Sequence, residues 1–378
     1  VVLNNEQKYY VKDKLLKNSK FSYYRMKNDT AIIYINKNHL GIQGQCNLNR
    51  LNSDDIALLE YLERMCSFIE GGELHSKESV PPNKIINLNK INHFWDDRQE
   101  KSSLENLNFI LGSSLYSKKD VYVPASIPYY LSLDDSEMFS GSSNGSAVGK
   151  TLEDATYRAL LEFIERDTFL KFWYGDTCRG KLLSSSRNGI VSLLKKLMLI
   201  ENYLVDFVVI EQFKGIYTVW CIARSFNYSS PIYSMSGLAC SGKLFTAVKR
   251  SFDEMYGTLK LRIDKITNKT DKTIRLNDDL DKIINYFSSY KVKEKVEEML
   301  YSLEQKSADD FKSSDLLTLD VLIKESKKIY SDVIVVDITS KILEDIDFKC
   351  VKVVVENGWD MIFNEKENYV GLKYQPIA

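Results

Sequence analysis

The chain is poor in the residues that most often carry protein chemistry on their own. Only three histidines occur, His39, His75 and His93, all before residue 94 of 378, so a Ser-His-Asp triad or other histidine-centred catalysis is not expected. Six cysteines, Cys46, Cys66, Cys178, Cys221, Cys240 and Cys350, are scattered without a CxxC pair, a spacing from which no structural zinc site is expected. In a chain this long they read as buried free thiols of a reducing compartment, which makes the cytoplasm the expected location. Charge of neither sign is in excess. Fifty-one Lys and Arg face 52 Asp and Glu, a net charge of -1, so no overall field draws the chain onto nucleic acid or an anionic membrane. Long apolar runs are missing too: the longest, such as Val333 to Ile338, are far too short to cross a bilayer, and the opening VVLNNEQKYYVKDK has no apolar signal-peptide core. What remains, 44% hydrophobic, 27% charged and 12% aromatic, is the composition of a globular protein with one large domain or two medium ones.

Both kinds of regular element are legible along the chain. Residues 31–35 (AIIYI) read as a strand, and 53–69 as a helix, with Ile56, Leu59, Leu62, Met65, Cys66 and Ile69 at spacings of three and four after Ser53 as N-cap. The polar stretch 71–101, punctuated by Gly71, Gly72, Pro81 and Pro82, reads as a loop or hinge. VYVP at 121–124 predicts a strand, and a Ser/Gly-rich turn from Ser140 to Gly149 leads into a long helix near Thr151. Segments 204–210, 216–224 and 232–239 are strand-like and joined by short turns, which favours antiparallel neighbours. A helix is expected from about Lys243, helical spacing recurs through 263–328, and 333–338 and 351–355 return to strand.

Chemistry concentrates in a near repeat, Glu60-Tyr-Leu-Glu63-Arg64 and Glu162-Phe-Ile-Glu165-Arg166, each inside an expected helix. E-x-x-E sets two carboxylates on one helix face about 5–6 Å apart between Cβ atoms, close enough to bridge a hard divalent cation. Such strings are also ordinary solvated helix surface. In the second copy, an advance of about 100° per residue from Leu152 makes an apolar side of Leu152, Ala155, Ala159, Phe163, Leu170 and Trp173. Arg166 falls inside that arc and Glu162 on its edge, whereas Glu153, Asp154, Arg158 and Lys171 lie mostly elsewhere. Ionisable groups aimed at a core are costly unless paired or bound, so these are site candidates, with a structural Arg–Glu pair as the alternative. In the first copy Glu60, Glu63 and Arg64 face away from the apolar stripe, as a solvated face would. A third helix carries Arg250 and Glu254 opposite Leu244, Val248, Phe252, Met255 and Leu259, the spacing of a surface salt bridge. Arginine is scarce, 12 residues against 39 lysines, yet Arg64, Arg166 and Arg250 stand beside the glutamates of these helices, consistent with bidentate contacts to carboxylate or phosphate. The turn SGSSNGSAVGKT lacks Walker A spacing, but Gly145 and Gly149 allow either a backbone anion nest at the helix start or simply a flexible turn.

The stretch Ser143-Asn-Gly-Ser-Ala-Val-Gly-Lys-Thr-Leu-Glu-Asp-Ala155 followed by Leu161-Glu-Phe-Ile-Glu-Arg-Asp167 resembles the YcaO signature S-N-G-x-A-x-G-N-T-x-E-E-A, then L-x-E-x-x-E-R-D. Ala57 to Arg64 is similar to that family's earlier A-L-x-E-x-x-E-R helix, and Ala247 to Glu254 to its A-x-x-R-A-x-x-E helix. With Val121 to Pro124 and Asp337 to Thr339, the likeness spans roughly residues 40–355. It implies an α+β fold with largely antiparallel sheet packed with helices, in which 1–40 is an N-terminal segment and 41–378 a catalytic domain with ATP-binding helices near 53–69, 151–174 and 243–262. It further implies ATP and Mg2+ as cofactors, with Glu60, Glu63, Glu162, Glu165 and Glu254 on the metal. Ala147, Lys150, Arg64, Arg166 and Arg250 join them around the nucleotide, and Arg166 and Arg250 act catalytically on phosphoryl charge.

The implied activity is activation of backbone amides in a ribosomally made precursor peptide, first of all cyclodehydration of Cys, Ser or Thr to azolines during bacteriocin-type maturation. Lys150 stands in place of the signature Asn, Ile56 in place of a Ser four before Glu60, and Gly257 in place of a Gln three after Glu254. The end, Tyr374-Gln-Pro376-Ile-Ala, lacks the proline-rich tail common in azoline-forming members. Thioamide formation, macroamidine closure and ATP-driven amide cleavage therefore stand as alternatives, and a non-catalytic precursor-binding scaffold as a reading of another class. Expected partners are the precursor peptide, a separate leader-binding protein, a dehydrogenase, and a second copy in a homodimer, with neither nucleic acid nor membrane.

Overall fold

The computed structural model describes residues 2–17, 21–25, 31–36, 43–47, 52–68, 73–91, 107–130, 142–175, 177–184, 189–227, 230–268, 289, 292–311 and 317–361. The chain divides into two compact units, 1–163 with 318–362 and 164–317 with 363–378. The first opens with helix α1 (Asn5–Leu16), whose N-terminus is closed by a capping box between Asn4 and Gln7. Lys8 reaches the fully buried Asp55 at 2.5 Å, offsetting the cost of a carboxylate taken from water. Strands β1 (Phe21–Arg25), β2 (Ala31–Asn36) and β3 (Gln43–Asn47) form an antiparallel sheet, and α2 (Ser53–Cys66) follows. The second sheet of this unit takes β4 (His75–Ser76), β5 (Asn108–Ser114), β6 (Asp120–Pro124), β7 (Ser146–Gly149), β13 (Val333–Asp337) and β14 (Lys349–Val355). It runs in the order β4-β5-β13-β14-β7 with β6 also paired to β5, every pair antiparallel. Its core joins Ala57, Leu58, Tyr61 and Leu62 of α2 to Phe109, Val123, Ile334, Val336, Phe348 and Cys350.

Local chemistry moves three boundaries from their expected places. The α2 N-cap is Asn52 in a left-handed conformation at φ 60, and Ser53 is the first helical residue rather than the cap; asparagine tolerates that conformation better than serine. The polar stretch after residue 72 is not featureless, since β4 and three short 3-10 turns lie within 73–91, while its continuation 92–101 falls outside the described residues. Of the expected turn, 146–149 is instead the buried strand β7, paired from Ser146↔Lys352 to Gly149↔Lys349. The reversal is confined to the residues just before it, where Gly145 takes φ 72. Gly149 then lets the strand enter helix α3 (Leu152–Trp173) directly, because a Cβ there would lie 2.3 Å from the Ala155 nitrogen.

The second unit takes the C-terminal part of α3. Its sheet has the order β11-β10-β9-β8-β12, built from β8 (Gly180–Ser184), β9 (Tyr203–Phe213), β10 (Ile216–Ser225), β11 (Ser234–Ser241) and β12 (Gln305–Ser307). The β9-β10-β11 meander is antiparallel as the short turns required, and only β12 pairs parallel, with β8. Helices α4 (Ile190–Ile200), α5 (Leu244–Asn268) and α6 (Lys293–Ser302) complete the unit, with Ala247, Val248, Phe252, Met255 and Leu259 of α5 buried against β9 and β10 side chains. Phe169, Trp173 and Trp220 form an aromatic cluster with centroids 5.6–6.0 Å apart, each pair contributing about 0.5–1.5 kcal/mol beyond area burial. Two further helices among the described residues, α7 (Leu319–Ser326) and α8 (Lys341–Glu344), belong to the first unit. This is the mixed, largely antiparallel α+β architecture the sequence implied. Cys66, Cys178, Cys221, Cys240 and Cys350 are buried free thiols, and Cys46 has no described side chain. No helix among the described residues is long and apolar enough to cross a membrane.

Candidate functional site

Helix α3 carries the chemistry of both units on one continuous run, Glu162 in the first and Glu165 and Arg166 in the second. Its start is tightly held: Thr151 Oγ1 accepts from the Asp154 nitrogen, and the Asp154 carboxylate accepts from the Lys150 nitrogen. The Lys150 N–H at the helix start is therefore taken by the chain's own carboxylate rather than left open to an anion. Ala147 is buried in β7, and the Lys150 side chain is exposed. Burial along α3 is wider than its periodicity suggested, although Leu152, placed on the apolar side, is 46% exposed. Lys171, taken as an ordinary surface charge, is buried and donates to the fully buried Asp167 at 2.8 Å. Gln212 Nε2 donates to the same carboxylate at 3.0 Å and accepts from Thr168 through its carbonyl. Four polar groups satisfy one another inside the core.

In the first unit the α2 residues correct the expectation of a solvated face. The Glu63 and Arg64 side chains are only 16% and 20% exposed. Arg64 lies 3.6 Å from Glu60 and 3.7 Å from Glu63, too far for good hydrogen bonds, and its Nη1 is buried without a hydrogen-bond partner. Burial pushes the Glu63 carboxyl well above the usual range; Arg64 opposes this, and the like charges of Glu162 and Glu60 add to it. Periodicity within one helix does not register neighbours distant in sequence, and Glu162 of α3 and Tyr130 after β6 act electrostatically on this pair.

The same neighbourhood holds groups that motif reading passed over. Asn144 Nδ2 donates to Asp360 at 2.6 Å, yet the buried Asn144 Oδ1 and Ser146 Oγ have no hydrogen-bond partner. The fully buried Lys352 of β14 donates to the backbone carbonyls of Ser142 and Asn144. A lysine inside the apolar run Cys350 to Val355 was the available signal.

In the second unit Glu165 and Arg166 are 15% and 17% exposed, with Arg166 Nε 3.8 Å from Glu165 and Nη2 4.0 Å from Glu254. Glu254 makes no surface pair with Arg250, which is exposed and has no ion pair among the described residues. Instead its Oε2 accepts from the Leu238 nitrogen at 3.0 Å. Gly237 makes that possible, since a Cβ there would lie 2.4 Å from the Ser251 carbonyl and 3.0 Å from Glu254 Cβ. Burial pushes the neighbouring Cys240 thiol up, which Glu165 reinforces and Arg250 opposes, so this thiol is no nucleophile.

Among the described residues no three His, Cys, Asp or Glu side chains cage a metal ion by themselves. A Mg2+ site that takes one or two carboxylates and completes its octahedron with phosphate oxygens and water needs no such cage. The groups present fit that requirement. Glu63 is a buried hard-oxygen donor whose charge is resisted by its surroundings, Arg64 Nη1 is a buried donor without a hydrogen-bond partner suited to phosphate, and Asn144 Oδ1 and Ser146 Oγ are unused polar atoms of the same unit.

Comparison with known proteins agrees with this chemistry. The family model described as YcaO cyclodehydratase, ATP- and Mg2+-binding, matches residues 49–357. No curated protein matches the chain. Among solved structures the chain resembles YcaO from Methanopyrus kandleri bound with AMPPCP and Mg2+, with a TM-score of 0.68 and 17% identity over 96% of this chain and 92% of that one. A heterocyclase in complex with substrate and cofactor gives a TM-score of 0.68 and 16% identity over 92% of this chain and 51% of that one. The E. coli microcin synthetase McbBCD complex gives 0.66 and 16% over 89% and 88%. At these identities the structural likeness establishes the fold, and the match of the family model across most of the chain establishes the lineage: the chain belongs to the YcaO family of ATP- and Mg2+-binding, peptide-modifying enzymes.

Proposed function

We propose that this enzyme activates backbone amides of a ribosomally made precursor peptide, and that its reaction is cyclodehydration of Cys, Ser or Thr to azolines. The observation that carries the reading is the Glu63–Arg64–Glu162 neighbourhood, where burial and like charge oppose a carboxylate that Arg64, 3.7 Å away, does not fully neutralise. A solvated helix face or a peptide-binding scaffold has no use for that arrangement; a divalent cation bound to polyphosphate relieves it. Glu60, Glu63, Glu162, Glu165 and Glu254 are assigned to Mg2+, and Arg64, Arg166 and Arg250 to the phosphates. Bound ATP supplies the phosphoryl group that makes an amide oxygen a leaving group. Arg166, restrained by Glu165 and Glu254, is poised to offset charge on a transferring phosphoryl group without reorganising. The nucleophile comes from the substrate, in keeping with a chain that offers no triad and whose Cys240 is held protonated.

The likeness to the microcin synthetase McbBCD complex and to a heterocyclase in complex with substrate supports a reaction carried out with partner proteins; a peptide substrate, a separate leader-binding protein and a dehydrogenase that oxidises the product are the proposed partners, and the cytoplasm the proposed location. The test is the intact mass of a candidate precursor peptide after incubation with this protein, the partner, ATP and Mg2+. Loss of one water per modified Cys, Ser or Thr is the expected result. A sulfur-for-oxygen gain or peptide cleavage replaces the reaction while keeping the site, and no mass change with no ATP consumption refutes the enzyme assignment.

A further inference from the structure

Lys352 is among the largest completely buried side chains of the protein, at 1% exposure, and it lies in a strand whose neighbours are cysteine and valines. Core strands do not take up an ammonium group without compensation. Here the compensation is specific. The amine donates at 2.5 Å to two backbone carbonyls, those of Ser142 and Asn144, on either side of Ser143. The next residue, Gly145, is held at φ 72, and a Cβ on it would lie 2.7 Å from Val353, the strand neighbour of Lys352. From the other side, Asp360 accepts from Asn144 Nδ2 and from Ser142 Oγ. The turn is thus clamped between one buried cation and one carboxylate, and the groups left over on it are Asn144 Oδ1 and Ser146 Oγ, both buried and both without a hydrogen-bond partner. Buried polar atoms that the fold leaves unsatisfied call for a partner, and a bound ligand supplies one.

Charge points the same way. Burial pulls the Lys352 amine down, Asp360, Glu162 and Glu63 push it back up, and Arg64 lowers it, so the amine shares its surroundings with the carboxylates assigned to the metal. We propose that Lys352 is a positioning residue of the nucleotide site: its amine, donating to the Ser142 and Asn144 carbonyls, fixes the segment Ser142–Ser146 so that Asn144 and Ser146 present their free polar atoms to the bound nucleotide. This inference rests on the ATP and Mg2+ assignment and adds to it a residue outside the three glutamate helices.

The test compares wild-type protein with Lys352→Gln, which keeps N–H donors and removes the charge, with Lys352→Met, and with Lys352→Met/Asp360→Asn, which removes the Asp360 charge together with that of the lysine. Affinity for a non-hydrolysable ATP analogue with Mg2+ is measured by calorimetry, and folding by thermal melting. The expected result is a cooperative melt for the double variant with at least tenfold weaker analogue binding, and Lys352→Gln between it and the wild type. Binding within twofold of wild type in the folded variants overturns the inference alone, as does failure of all three to fold, which makes Lys352 a core residue only. Absence of binding by the wild type overturns the nucleotide assignment and this inference with it.

Discussion

Replacing Glu63 by Gln separates what this carboxylate costs the fold from what it does for the ligand. In the free protein its pKa is raised, chiefly by burial and then by Glu162 and Glu60, with Arg64 opposing. A carboxyl whose folded pKa lies above its unfolded value binds more protons folded than unfolded between the two, so its contribution to stability falls as pH rises through that window. Below the unfolded pKa the penalty is absent; above the folded pKa it is complete. Each tenfold change in the ionisation constant is about 1.4 kcal/mol, and a unit of this size melts about 2–4 °C higher per kcal/mol gained. Glu63→Gln is therefore expected to raise Tm of the ligand-free protein at pH 7.5 by a few degrees and to flatten the rise of wild-type Tm on acidification toward pH 5. With Mg2+ and a non-hydrolysable ATP analogue at 100 times its Kd, the wild type gains about 2.7 kcal/mol, a shift of several degrees that the variant loses together with ATP turnover. Differential scanning fluorimetry across pH, with and without ligand, reads all of this. A variant that melts below wild type when ligand-free, or that keeps the ligand-induced shift, refutes the reasoning.

Glu162→Gln and Glu165→Gln are each expected to abolish ATP turnover, measured as phosphate release, with cooperative melting retained; wild-type-like turnover in both removes them from the site. Arg166→Lys is expected to lower turnover at least about 100-fold, because a point ammonium cannot replace a planar fork, and unchanged turnover would make Arg166 a packing residue. Gly237→Ala places a Cβ 2.4 Å from the Ser251 carbonyl and is expected to cost about 1–3 kcal/mol of stability, read from a denaturant midpoint. Lys171→Met leaves Asp167 buried without its cation and is expected to cost about 3–5 kcal/mol, most of it recovered in Asp167→Leu/Lys171→Met; a mild single variant would show that Gln212 alone satisfies Asp167.

What the sequence revealed and what it hid follow from the range of the forces involved. The run Glu162 to Arg166 is legible because one helix fixes the spacing of its carboxylates whatever packs around it, and the β9-β10-β11 meander is legible because short turns leave it no other pairing. The α2 face was not. Periodicity assigns the polar side of a helix to solvent, whereas Glu63 and Arg64 are buried and feel the charge of Glu162 and Tyr130, which lie far away in sequence. Likewise an i,i+4 rule joins Arg250 to Glu254, but the missing side chain of Gly237 brings α5 so close to β11 that the Leu238 N–H captures that carboxylate first. Lys352 and Lys171 mark the opposite case, in which a charge stands inside an apolar run and the strand or helix around it cannot turn it outward. Such a residue must bring its partners inside with it, two carbonyls for Lys352 and Asp167 for Lys171. The difference between them lies in what remains unsatisfied nearby. Around Lys171 the polar groups of Asp167, Gln212 and Thr168 satisfy one another, the signature of a structural network, whereas the segment held by Lys352 keeps two buried polar atoms open. On that distinction rests the assignment of one lysine to the fold and the other to the ligand.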